Sequence, residues 1–74
     1  MADIEKIINK MKRQPNGIKF NELAKVLEFY GYAIRNKTGS HRNFRNSHGD
    51  VITIKEDNPL KAVYVKDTLK RIGV

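Results

Sequence analysis

Seventy-four residues are enough for one domain, and a chain this short buries only about 60% of the surface that it exposes unfolded, so its core must be small. With no cysteine it has neither a disulfide nor a thiolate metal ligand, and its two histidines cannot by themselves complete a tetrahedral zinc site. Fifteen Lys and Arg against eight Asp and Glu give a net charge of +7, a field that attracts polyanions.

No stretch approaches the roughly 18 consecutive apolar residues of a membrane span, and "MADIEKIINKMKRQ" mixes acids with bases, unlike a signal peptide. The expectation is a soluble cytoplasmic protein with no cofactor and no metal.

In chain order, Ile4, Ile7, Ile8 and Met11 recur at three- and four-residue spacing and predict a helix over 3–13 capped by Asp3. "QPNG" at 14–17 ends it. A second helix is expected from near Asn21, with Leu23, Val26, Leu27 and Tyr30 on one face and Gly31 as the left-handed residue that stops it.

After Gly31 the period falls to two. "YAIRNK" at 32–37, "HRNFRN" at 41–46 and "VITIK" at 51–55 read as strands, joined by "TGS" and "SHGD", turns short enough for an antiparallel meander. "EDNPL" breaks the pattern at 56–60. Val65, Leu69 and Ile72 then mark a last helix that Gly73 can close.

Alternation sorts the strands into two faces. Tyr32, Ile34, Phe44, Ile52 and Ile54 form an apolar set for the helices to cover. Ala33, Arg35, His41, Asn43, Arg45, Val51, Thr53 and Lys55 form the other, which faces water.

The charge is localised. Residues 32–49 contain Arg35, Lys37, Arg42 and Arg45 and no acid, whereas both ends of the chain are nearly balanced. Such a strip points to nucleic acid more strongly than diffuse charge does.

An imidazole titrates near pH 6.5, so His41 can take a proton in one step and give it back in another. RNA brings its own nucleophile in the 2′-hydroxyl, and nearby cations can offset the charge that develops on phosphorus. In that scheme His41 is the proton-transfer group, and Arg35, Lys37, Arg42 and Arg45 hold phosphates. Gly39 permits a tight turn that offers backbone N–H groups beside the histidine. The rival reading of His41 is a surface histidine without a task. His48, in the turn "SHGD", reads as a turn residue that could lend a second proton-transfer group.

The order helix, three strands, helix, with Gly39, Ser40, His41 and Phe44 opening the middle strand as Gly-Ser-His-x-x-Phe, resembles the HicA family of bacterial toxins, over about residues 18–74. The resemblance implies an α+β fold of the double-stranded RNA-binding-domain type, with helices packed on one face of a three-stranded antiparallel sheet. It also implies metal-independent cleavage of mRNA through His41 and a HicB-type antitoxin as partner. Strip and motif together put Arg35, Lys37, Gly39, Ser40, Arg42, Asn43 and Arg45 against RNA.

Two departures stand out. "IKEDNPLKAV" lacks the Pro-x-His segment that many members carry after the third strand. Residues 1–17 read as a helical extension and turn added to the family pattern within a single domain of residues 1–74, an extension that either shapes the antitoxin contact or adds apolar area. The competing functions are a non-catalytic RNA-binding module and an adaptor that docks through the N-terminal helix.

Overall fold

The stretches of period 3.6 form three α-helices, α1 Ala2–Arg13, α2 Phe20–Phe29 and α3 Ala62–Ile72, and those of period two form three strands, β1 Ala33–Thr38, β2 His41–Arg45 and β3 Val51–Lys55. The computed structural model describes residues 2–39, 41–57 and 59–74, with the side chains at 2 and 36–38 outside that description. The chain is α+β, its open sheet antiparallel in the order β1-β2-β3. Among the described residues no helix is long and apolar enough to cross a membrane.

Asp3 does not cap α1. The helix already runs from Ala2, so Asp3 and Glu5 lie in its first turn and Lys10, Lys12 and Arg13 in its last. Each sits where its charge meets the opposite end of the helix dipole, an effect of about 0.3–1 kcal/mol per charge at most surface sites.

A 3₁₀ turn at Pro15–Gly17 follows, with proline's fixed φ at its start. At the head of α2 the Lys19 N–H donates to the Glu22 carboxylate at 3.0 Å, and Lys10 of α1 reaches the same carboxylate at 3.2 Å. Beyond Phe29 the chain turns at Gly31, whose φ of 91° would strain a side chain. Tyr30 leaves the core face that its spacing suggests: it is the C-cap residue, exposed, with its ring edge-on to that of Phe29.

One apolar cluster holds the elements together. Phe44, Ile52 and Ile54 point from the sheet into it and meet Ile8 and Met11 of α1, Leu23, Val26 and Leu27 of α2, and Val65 of α3. Phe20 and Phe44 pack as tilted rings 6.0 Å apart, worth about 0.5–1.5 kcal/mol beyond the area they bury. The N-terminal helix is part of this core. Met11 is fully buried, and α1 packs against both α2 and α3. The stripe that could have docked a partner is turned largely onto the domain itself, with only Ile4 and Ile7 partly covered.

Ile34 departs from the expected apolar set and is exposed at 36%. It pairs with the buried Phe44 but lies on β1, an edge strand of the sheet, and a β-bulge follows it. Ala33 and Ile34 pair with Arg45 and Phe44, but the next partner, Asn43, lies opposite Asn36, so Arg35 has no place in the ladder. A bulge bends its strand and re-aims the side chains around it.

Candidate nucleic-acid interface

β2 and β3 pair in regular register, with His41 opposite Lys55, Asn43 opposite Thr53 and Arg45 opposite Val51. These six residues therefore share the side of the sheet away from the apolar cluster, with no carboxylate among them. His41 is exposed, and its ring makes no hydrogen bond or ion pair among the described residues. Lys55, half-buried, is its direct cross-strand neighbour.

An open concavity of about 560 Å³ lies further along the same face, lined by Arg35, Asn43, Arg45, Val51 and Thr53. Arg35 reaches it from β1, where it stands at the bulge. Neither Arg35 nor Arg45 spends its guanidinium on a described partner, so both are available to an anion. The Thr53 hydroxyl donates to Asn43 Oδ1 at 2.6 Å, which fixes that amide and leaves its N–H groups free to donate outward. Thus Arg35, Asn43 and Arg45 come together as expected, while His41 stands two residues beyond Asn43 and outside the concavity's lining.

Other expected residues fall elsewhere. Arg42 shares a face with Phe44 and lies opposite Ile54, on the side away from His41. Its guanidinium is engaged, with Glu56 at 3.1 Å, the Gly39 carbonyl at 2.7 Å and the His41 carbonyl at 3.2 Å. Gly39 makes the β1–β2 turn with φ of 58°. Ser40 and the side chain of Lys37 lie outside the described residues. His48 is exposed in the turn at the far end of β2, more than four residues from His41, or upwards of about 13 Å along a strand. At that distance it cannot share a phosphodiester with His41.

Lys55, Val51 and Thr53 line the face without having been singled out for a role. Their signal was in the sequence: "VITIK" alternates cleanly, and a short turn after Arg45 sets them opposite His41, Asn43 and Arg45. No trio of His, Cys, Asp or Glu that could hold a metal ion occurs among the described residues.

The turn beside the concavity is clamped. Asn46 Oδ1 accepts the N–H groups of His48 and Asp50 at 3.0 and 2.9 Å. Asp50 then accepts the Tyr32 hydroxyl and an Arg71 N–H at 2.8 Å, and Arg71 also donates to Asp67 and to the Val51 carbonyl. The Tyr32 hydrogen bond, and after it that from Arg71, holds the Asp50 carboxyl below its usual range. The same bond raises the Tyr32 phenol above its ordinary value. Glu22 is lowered, first by the Lys19 N–H.

The signs fix a pH profile. A carboxylate that is more acidic when folded stabilises the fold above its unfolded pKa, and this is lost as pH falls below about 4. A phenol that is less acidic when folded acts oppositely, and its contribution fades as pH rises above about 10. Urea midpoints measured from pH 2 to 11 are expected to fall at both ends, with Asp50→Asn flattening part of the acid limb and Tyr32→Phe the alkaline one. A profile unchanged in both variants would refute the clamp.

No protein-family model matches this chain, and neither does any curated protein or solved structure.

Proposed function

We propose that the chain is an endoribonuclease of the HicA toxin type, acting on mRNA at the uncovered sheet face, with the core of α2, the sheet and α3 arranged as in double-stranded RNA-binding domains. One observation carries the reading: among the described residues, an exposed imidazole without a hydrogen-bond or ion-pair partner stands on a sheet face that carries no acid, beside Lys55 and on the same strand as Arg45, whose guanidinium is unpaired there. RNA laid along β2 would put one phosphodiester at His41 while a neighbouring nucleotide occupies the Arg35–Arg45 concavity.

The step is a transesterification. His41 takes the 2′-hydroxyl proton, O2′ attacks phosphorus, and the P–O5′ bond breaks as O5′ leaves with a proton from solvent. The Lys55 ammonium offsets the charge that gathers on the phosphoryl oxygens. A HicB-type antitoxin would neutralise the protein by covering this face.

Product ends test the chemistry. Incubation of single-stranded RNA with the protein in chelator is expected to leave 2′,3′-cyclic phosphate and 5′-hydroxyl ends; 5′-phosphate ends, or intact RNA, would reject it. The second reading is an RNA-binding module without chemistry. It draws on the position of the concavity, which holds the free arginines but not His41.

A further inference from the structure

Arg42 carries an unusual set of contacts for a strand residue in a basic strip. Its guanidinium donates to the Gly39 carbonyl at 2.7 Å and to the His41 carbonyl at 3.2 Å, and it pairs with Glu56 at 3.1 Å. Its side chain is only 18% exposed. One carbonyl belongs to the turn residue Gly39 and the other to His41 at the start of β2, and Glu56 follows directly after β3, so one planar fork ties the start of the middle strand to the end of the third. Arginine suits the place because its fork holds several acceptors in a fixed geometry, which a lysine ammonium does not.

We propose that Arg42, oriented by Glu56, is a positioning residue: it holds the Gly39 and His41 carbonyls from the covered side of the sheet and so aims the imidazole, and it does not bind phosphate. This rests on the cleavage reading above. Two consequences follow from the geometry. With its charge answered by Glu56 and its N–H groups on carbonyls, Arg42 adds little to RNA affinity. Loosening the turn displaces the ring relative to a bound phosphodiester, and a misplacement of about 1 Å is enough to cost a factor of about 100 in rate.

The test compares Arg42→Gln, Arg42→Lys and Glu56→Gln with Arg45→Gln. Single-turnover cleavage, RNA affinity on an uncleavable 2′-deoxy analogue over a range of salt, and urea midpoints are measured for each. Arg42→Gln is expected to slow cleavage by about 10- to 100-fold, with affinity within about twofold of wild type and an unchanged salt slope. Arg42→Lys should recover part of the rate, and Glu56→Gln should lose rate in the same direction. Arg45→Gln should instead weaken binding and reduce the log-log salt slope by about 0.7, the signature of a lost contact to a single strand.

An Arg42→Gln protein that loses affinity and slope as Arg45→Gln does would make Arg42 a phosphate ligand and overturn the proposal. So would one that cuts at the wild-type rate. If Arg42→Gln fails to fold by its urea transition, Glu56→Gln decides on the same split between rate and affinity. A wild-type protein that binds RNA but never cuts it rejects the cleavage reading itself, and this inference with it.

Discussion

Replacing His41 by alanine is expected to remove cleavage and to leave RNA binding in place. General acid–base catalysis by one side chain is typically worth 10²- to 10⁴-fold, so single-turnover rates should fall by about that factor. Affinity for an uncleavable analogue should stay within about twofold, because the guanidiniums of Arg35 and Arg45, unpaired among the described residues, lie elsewhere on the face and are untouched. Nor should the fold suffer: the ring is exposed and unpartnered among the described residues, and substitutions at such sites usually cost less than about 0.5 kcal/mol. The decisive measurement is the pair of numbers. A rate that survives would show that the ring is idle; a rate and an affinity that fall together would make His41 a binding group.

Met11→Ala is expected to destabilise the protein by about 2–5 kcal/mol, the usual cost of cutting a fully buried large apolar side chain back to alanine. A domain of this size has only about 4–11 kcal/mol to lose. The reason is placement: α1 lies against both other helices, and with Ile8 it supplies the cluster that Phe44 and Ile54 enter from the sheet. Deleting residues 1–13 should therefore abolish cooperative unfolding in urea. A truncated chain that still unfolds in one sharp transition would return α1 to the status of an appendage. Truncation accordingly cannot isolate a docking role for this helix, since it would remove the core at the same time.

Local pattern carried most of the architecture. The alternation in "VITIK" places Ile52 and Ile54 inward, and β3 runs from Val51 to Lys55 as expected. Phe44 and the stripe Leu23, Val26 and Leu27 are buried, and Gly31 and Gly73 end their helices with positive φ. What pattern missed depends on partners distant in sequence. Periodicity cannot register an edge or a bulge, so Ile34, on an edge strand, looked buried and Arg35 looked like an ordinary ladder residue. Tyr30 fits the helical stripe by spacing, yet the helix ends before it can point inward. Arg42 looked like one more cation of the strip because Glu56, which engages it, lies fourteen positions on across the sheet. The face that displays His41 was legible from strand parity alone. The concavity was not, because it needs the pairing of all three strands at once.

The brevity of β2 limits what this protein could distinguish. Its five residues extend over about 17 Å, and only every second one looks outward, so a bound strand meets a handful of nucleotides and three side chains from that element. So small a footprint holds little information about a target. An endoribonuclease of the proposed kind with this footprint would find acceptable stretches in nearly every transcript that exposes an unpaired loop, and its effect on a cell would be set by how much of it is left uncovered, with the identity of any one message counting for little.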